Sequence, residues 1–286
     1  MSKFVSLMKK CTIHPLFWIV AAIGVLSGRF METAMVFAII FIHEMGHAAT
    51  AHFFNWKIKK IELFPFGGVA EVDEHGNRPL KEEMLVILAG PAQHVWMIGL
   101  SYLLFLTGLI GETFHNIFVL HNVMILSFNL LPIWPLDGGR ILLTLFSSRV
   151  PFLQAYRYAL LVSFTAFGIV LLLHLIFSYY HLNLWIILGF LLLSQVLEWK
   201  QQKFTHVRFL LERYYGRQTE ISQLKSILVE ETTYLHEVFS GFCRGYKHQI
   251  IMQLKGGGQL TLDENEVLHA FFAEKQTNCT VGELFG

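Results

Sequence analysis

The fold is decided by the stretch Phe41-Ile42-His43-Glu44-Met45-Gly46-His47, an H-E-x-x-H motif inside a run that is otherwise apolar enough to cross a membrane. On a helix, two histidines four residues apart lie about 40° apart around the axis, so both imidazoles project from one face. That arrangement suits two nitrogen ligands of one tetrahedral zinc. Glu44 lies about 100° away and can approach water at the metal without being a ligand. Because charge and imidazole are costly in an apolar run, the motif predicts a metal site rather than an ordinary helix surface.

The composition indicates an integral membrane protein. The 286-residue chain is 54% hydrophobic and 15% charged, whereas a soluble domain usually carries about a quarter charged residues. A net charge of +1 gives no reason to expect a direct nucleic-acid partner. The three cysteines, Cys11, Cys243 and Cys279, are scattered, so they predict neither a disulfide framework nor a cysteine-based zinc site.

Six apolar runs predict about six transmembrane helices, at about 14–28, 33–54, 84–110, 117–146, 158–178 and 183–197. No small-residue cleavage site follows the first run, so it is predicted to be a retained span and not a signal peptide. Six spans place both termini on one side, where lysine and arginine collect, while the opposite loops contain only Arg29. This asymmetry predicts cytoplasmic termini.

The long loop at 55–83 contains two strand-like segments around Phe64-Pro65-Phe66-Gly67-Gly68. Gly67 and Gly68 permit the backbone angles of a hairpin turn, and the two phenylalanines favour contact with membrane or protein. An ordinary surface turn is the alternative. A hairpin at membrane depth requires protein or a water-filled cavity around its backbone.

The fourth apolar run is interrupted by two prolines and two glycines between 132 and 139, so a straight helix cannot persist through it. Asp137 lies in this break, where a carboxylate is costly unless it is neutral, paired or bound to metal. Two histidines leave a catalytic zinc one protein ligand short, and a carboxylate commonly completes the set. Asp137 is therefore the predicted third ligand. The alternative is that it only caps the helix that resumes at Gly138.

The composition changes near Glu198, where charges return and long apolar runs stop. We therefore predict a membrane domain at 1–197, followed by a linker and a small cytosolic α+β domain at 198–286. The segment 206–215 is predicted to be an amphipathic helix whose Arg208, Glu212 and Arg213 face water. Most of the histidines in or at the edges of the other spans are predicted to be interfacial or packing residues, because none has a second histidine four residues away on the same helix. They are His14, His94, His115, His121, His174 and His181.

The H-E-x-x-H motif and the later Asn129-x-x-Pro132-x-x-x-x-Asp137-x-Gly139 resemble the site-2 protease family of intramembrane metalloproteases. The resemblance covers essentially the whole chain. It extends to sporulation proteases within that family through His14-Pro15 and the segments 64–68, 74–81, 131–139, 207–216 and 262–270. It implies a polytopic α-helical membrane domain with a membrane-inserted hairpin, plus a small cystathionine-β-synthase-like (CBS-like) domain.

The resemblance assigns roles to individual residues. It implies that His43, His47 and Asp137 bind one Zn2+ ion and that Glu44 is the catalytic base for hydrolysis of a peptide bond. It further implies a substrate-binding set made of Asn129, Phe66, Gly67, Gly68 and Pro135.

The same resemblance implies partners and a location. The substrate would be the pro-form of the late mother-cell sigma factor, and two inhibitory membrane proteins would hold the protease inactive. The location would be the outer forespore membrane, in contact with membrane lipid. CBS modules in this family are linked to ATP sensing, so ATP is a candidate ligand of the C-terminal domain. The sequence leaves the oligomeric state open, a homo-oligomer included.

A membrane zinc carrier or sensor without enzymatic activity is the alternative function. It accounts for His43, His47 and Asp137 but gives Glu44 no role. Carriers also tend to contain internal repeats of broken helices, whereas this chain has one such break. An inactive scaffold for a nucleotide-sensing tail is a third interpretation, against which the intact Glu44 argues. The sequence favours the protease.

Overall fold

The structure is a computed structural model that describes residues 11–13, 18, 22, 24, 26–56, 58–64, 67–72, 78–177, 182–216, 223–254 and 256–286. The chain groups into two compact units. The first comprises Met1–Asp73, Lys81–Ile141 and Ser163–Ser194, and the second comprises Glu74–Leu80, Leu142–Val162 and Gln195–Gly286. The domain boundary at 197/198 stays a prediction.

In the part of the chain that the structure describes, the helices with defined bounds before the C-terminal sheet are α1 (Phe30–Phe53), α2 (Leu80–Leu106), α3 (Glu112–Asn129), α4 (Asp137–Ser147), α5 (Phe152–Phe177) and α6 (Leu182–Tyr215). Among the described residues, α1, α2 and α5 are long and apolar enough to cross a membrane. They correspond to the second, third and fifth predicted spans. The first predicted span, 14–28, lies largely outside the described residues, and the count of six stays a prediction.

Apolar residues at helical spacing hold α1 against its neighbours. Met35 and Ile39 of α1 are buried with Met97 of α2, and Ile117, Phe118 and Ile125 of α3 pack against them. The three helices therefore share one apolar cluster, to which α1 and α3 contribute residues at helical spacing. This packing turns the H-E-x-x-H face of α1 towards α2.

The predicted break in the fourth apolar run is confirmed, because α3 ends at Asn129 and α4 begins at Asp137. Glycine is needed where α4 begins: a Cβ at Gly138 would lie 2.2 Å from the carbonyl oxygen of Leu131. The intervening turn is anchored by Ile133, which is buried with residues of α5 and α6, and by the amide of Trp134, which donates to Ser163 Oγ at 2.7 Å. The break is thus a packed, hydrogen-bonded turn that fixes the position of Asp137.

The loop at 55–83 contains the two predicted strands. β2 (Ile58–Phe64) and β3 (Gly67–Val72) are antiparallel neighbours, and β1 (Cys11–Ile13) pairs with β2 in parallel. Phe64 is the register partner of Gly67. Phe66 lies outside the described residues, and insertion of this hairpin into the membrane stays a prediction.

The second unit contains the predicted α+β domain. Its elements are β4 (Leu224–Glu230), α7 (Leu235–Ser240), β5 (Lys247–Gln253), β6 (Gln259–Asp263), α8 (Glu264–Phe272) and α9 (Val281–Phe285). The sheet order is β4-β5-β6, with β4 and β5 parallel and β5 and β6 antiparallel. Helix α8 begins with a capping box in which Asp263 and Glu266 satisfy each other's backbone amides. Assignment of this domain to the CBS type stays a prediction.

A buried arginine fixes the end of α6 to this sheet domain. Arg213 is 6% exposed, and its Nε and Nη2 donate to the Glu264 carboxylate. Its Nη1 and Nη2 also donate to the carbonyl oxygens of Cys243 and Tyr246. The prediction that Arg213 faces water is wrong. It lies one helical turn after the fully buried Phe209, and its counter-charge comes from the distant start of α8.

We expect Glu264→Gln to destabilise the sheet domain by about 3–5 kcal/mol, because it leaves the Arg213 charge buried without a partner. The measurement is amide hydrogen-exchange protection of β5 and α8 in the purified full-length protein. Lys247→Met is the matched control, since Lys247 and Asp263 form an ion pair that is 29% and 42% exposed. Its loss should cost less than about 1 kcal/mol. Equal protection in the two variants would contradict this account of Arg213.

The same carboxylate predicts a dependence of stability on pH. Burial raises the pKa of Glu264, but hydrogen bonds from His248 and Arg213 outweigh burial and lower the pKa from 4.5 to about 2. Because the folded-state pKa is depressed, this stabilisation is fully present above pH 4.5 and is lost as the pH falls through 2. We expect the difference in protection between wild type and Glu264→Gln to shrink across that window. A difference in protection that stays constant with pH would refute the role of the ionised Glu264 carboxylate in this stabilisation.

Candidate metal centre

Two imidazoles of α1 and the first carboxylate of α4 converge. His43 Nε2 lies 3.1 Å and His47 Nε2 3.3 Å from Asp137 Oδ2, and the two Nε2 atoms are 3.1 Å apart. The three residues are 2%, 7% and 7% exposed. Together they form a group that could hold a metal ion. The spacing on α1 and the break before α4 thus bring together the three residues that the sequence predicted as ligands.

The separations of these atoms suit zinc. Ligands at about 2.0–2.2 Å in tetrahedral geometry around Zn2+ lie about 3.3–3.6 Å from one another. The observed separations of 3.1, 3.1 and 3.3 Å are close to that value, and all three atoms are of types that zinc binds. An ion of this size therefore fits with adjustments of a few tenths of an ångström.

The hydrogen bonds at the outer imidazole nitrogens also favour a cation. His47 Nδ1 lies 2.8 Å from the carbonyl oxygen of Val86, which can only accept, so Nδ1 carries a proton and Nε2 is the nitrogen that would bind a metal. Asp137 Oδ2 is buried, and among the described residues it has no hydrogen-bond partner of acceptable geometry, although both imidazoles lie beside it. A buried carboxylate beside two imidazole nitrogens is stabilised by positive charge, which a metal ion at the shared position would supply.

Glycine keeps the space beside the ligand atoms open. A Cβ at Gly90 of α2 would lie 2.2 Å from His47 Nε2 and 2.8 Å from His43 Nε2. Gly46 of α1 plays the reciprocal role, since a Cβ there would lie 2.6 Å from the carbonyl oxygen of Ala89. Close approach of backbone to a site is a use for which glycine is suited. Sequence reasoning missed Gly90, although Gly90-Pro91 inside an apolar helix was an available signal.

The other predicted site residues occupy several elements. Glu44 is 6% exposed and follows His43 on α1. Asn129 is buried at the last position of α3, where its Nδ2 donates to the carbonyl oxygen of Ile125 at 3.1 Å. Pro135 lies in the turn that leads into Asp137, and Gly67 and Gly68 begin β3. Phe66 is outside the described residues.

His94 of α2 and Asn122 of α3 were not predicted to belong to the site. His94 Nε2 lies 3.1 Å from His43 Nδ1, and His94 Nδ1 lies 3.0 Å from Asn122 Oδ1. Both residues are fully buried. The expectation that His94 is an interfacial or packing residue therefore requires correction. The rule of a second histidine four residues away missed a contact between helices, whereas polar residues within an apolar span are a general indication of function.

Comparison with known proteins agrees with this geometry. The model of Peptidase family M50 matches residues 31–111 and 107–173, a region that contains His43, His47 and Asp137. The chain is 45% identical over 285 residues to Stage IV sporulation protein FB of Bacillus subtilis (strain 168), covering 99% of both proteins. A zinc metalloprotease of Methanocaldococcus jannaschii is 33% identical over 135 residues, which cover 44% of this chain and 37% of that protein.

A solved structure gives the same answer. The Site-2 Protease from Methanocaldococcus jannaschii matches with a TM-score of 0.53 and 26% identity, over 66% of this chain and 89% of that chain. The three apolar helices and these relatives identify an integral membrane protein with the site-2 protease fold. The chain belongs to Peptidase family M50, the site-2 protease family, and is a metalloendopeptidase of the site-2 type.

Proposed function

We propose that this chain is an intramembrane zinc protease in which His43, His47 and Asp137 hold one Zn2+ ion and Glu44 is the general base. The observation that carries the proposal is the buried triangle of two imidazole nitrogens and one carboxylate oxygen, with sides of 3.1, 3.1 and 3.3 Å. Relatives described as zinc metalloproteases support zinc as the metal.

The proposed mechanism divides the work between ligands and base. Zinc, when bound, polarises the scissile carbonyl and activates water for attack. The Glu44 carboxylate takes the proton that this water loses and passes it to the leaving amine. The buried position of Glu44 beside His43 excludes bulk water and strengthens its electrostatic effect. If the protein were a zinc carrier or sensor, Glu44 would have no function.

Substrate binding is proposed to use the strand pair and the helix break. A peptide bond in a helix has its carbonyl tied up, so the substrate must become extended before attack. Among the described residues, β3 is an edge strand in the order β1-β2-β3 and could pair with an extended substrate near Gly67 and Gly68. Phe66, which precedes them in the sequence, belongs to the same proposed substrate-binding set. Asn129 Nδ2 keeps a second hydrogen for a substrate carbonyl, and Pro135 would line the same region.

The natural substrate is proposed to be a membrane-associated pro-protein, the pro-form of the mother-cell sigma factor during sporulation. This is supported by the full-length similarity to Stage IV sporulation protein FB. The proposal includes six spans, a membrane domain at 1–197, both termini in the cytoplasm and a place in the outer forespore membrane. It also includes inhibitory membrane partners and a CBS-like domain at 198–286. The β4-α7-β5-β6-α8 order of elements supports the proposed domain type. This domain is the candidate site for ATP.

We expect Glu44→Gln to retain zinc and to lower cleavage of a co-expressed membrane-associated pro-sigma factor by at least about 100-fold, because the amide cannot accept the proton. Bound zinc and cleavage are scored on the same preparation. Glu32→Gln is the matched control, since it makes the same substitution in the first turn of the same helix. The role of Glu44 as base is refuted if Glu44→Gln cleaves as well as the control. Loss of zinc from Glu44→Gln would instead indicate that Glu44 is a zinc ligand.

We expect Gly90→Ala to lose most of its bound zinc, because the added methyl group would lie 2.2 Å from His47 Nε2. Gly99→Ala on the same helix is the control, since a Cβ there meets nothing within 4 Å. The measurement is the zinc content of both purified proteins. A Gly90→Ala protein with one zinc per chain would show that the ion does not lie at these nitrogens.

A further inference from the structure

We propose that His94 and Asn122 are positioning residues that fix the tautomer and the ring orientation of His43 for the metal. The inference deepens the proposed zinc site and rests on it. Its basis is a continuous, buried chain of hydrogen bonds from α3 through α2 to α1, which we call the His94–Asn122 chain.

The donor and acceptor of each hydrogen bond in the His94–Asn122 chain follow from the contacts of Asn122. Asn122 Nδ2 donates to the carbonyl oxygen of Phe118 at 2.9 Å, which identifies Oδ1 as the atom that faces His94. Because Oδ1 only accepts, His94 Nδ1 carries the proton of the 3.0 Å contact, and the neutral ring leaves its Nε2 as an acceptor. His43 Nδ1 must then donate across the 3.1 Å contact with His94 Nε2. The proton on Nδ1 leaves the Nε2 lone pair of His43 directed at Asp137 and the metal position.

Burial makes this order of donors and acceptors costly to change. His94 and Asn122 are both 0% exposed. A reversed tautomer at either imidazole would place two protons, or two lone pairs, face to face without water to compensate. The His94–Asn122 chain therefore selects one tautomer of His43 before a metal ion binds.

The two histidine ligands are held by different means. The outer nitrogen of His47 meets a backbone carbonyl of α2, which no side-chain substitution can remove. The outer nitrogen of His43 meets a side chain of α2, which a substitution can remove. Partners that orient a metal-bound histidine typically contribute about 10–100-fold to metal affinity. For the ligand His43, we expect this contribution to zinc affinity to come mainly from His94.

The test measures zinc affinity by chelator competition in the purified full-length protein, independently of cleavage. His94→Leu removes both hydrogen bonds and should weaken zinc binding by about 10–100-fold. His94→Gln can accept from His43 through Oε1 and donate to Asn122 through Nε2, so it should restore affinity to within about threefold. The control is His174→Leu, because His174 is also a buried histidine of an apolar helix, but its ring nitrogens make no hydrogen bond to any residue that the structure describes. It should bind zinc as the wild type does.

A second pair of variants covers the case in which His94→Leu does not fold. Asn122→Ala keeps the His94 ring but removes its acceptor, whereas Asn122→Asp keeps an acceptor at the same place. We expect weaker zinc binding in Asn122→Ala than in Asn122→Asp.

The outcomes separate this inference from the proposed function. A wild-type protein that binds no zinc would overturn the metal site itself. A wild type that binds zinc, with His94→Leu or Asn122→Ala of equal affinity, would overturn only the positioning role. Equal weakening by His94→Leu and His94→Gln would also overturn it, because ring packing and not hydrogen bonding would then matter. Weakening by His94→Leu with rescue by His94→Gln is the expected result.

Discussion

A buried carboxylate beside two imidazole nitrogens is stabilised by a positive charge between them, and the organisation of the first unit follows from this constraint. Asp137 meets His43 and His47 where little water reaches them. Without a metal ion or a proton on one of the imidazoles, the carboxylate would be a buried charge that has no hydrogen bond of acceptable geometry from the described residues. With a divalent ion the three groups become ligands and the same burial strengthens their attraction. Helix packing, the broken fourth run and the glycine contacts all serve to bring these three groups together.

Each of those features resolves a geometric conflict. The histidine ligands of α1 lie against the backbone of α2, so the two helices must approach closely, and Gly46 and Gly90 permit this approach. A carboxylate delivered at the start of a helix needs a sharp turn before it, and Ile133 and Trp134 fix that turn by burial and by a hydrogen bond. The three ligand side chains are consequently held by packed helices and by a hydrogen-bonded turn, which preorganises the site.

Much of the site could be predicted because its signals are local. The interval between His43 and His47 defines one helix face, and the prolines before Asp137 mark the break that carries the third ligand. The positioning role inferred for His94 could not be predicted, because it depends on which faces of α1, α2 and α3 meet. Arg213 was assigned to the wrong face for the same reason, since its partner Glu264 lies 51 residues away in sequence. Local periodicity indicates that a face is buried but not what will cover it.

Zinc K-edge X-ray absorption of the purified full-length protein tests the central claim most directly. The account predicts one zinc per chain with nitrogen and oxygen ligands at about 2.0–2.2 Å and the multiple-scattering signature of two imidazoles. His47→Ala should remove one imidazole from that signature, whereas His174→Ala should leave it unchanged. A sulfur ligand at about 2.3 Å, or an oxygen-only shell without imidazole, would contradict the account, because the metal would then lie elsewhere in the chain.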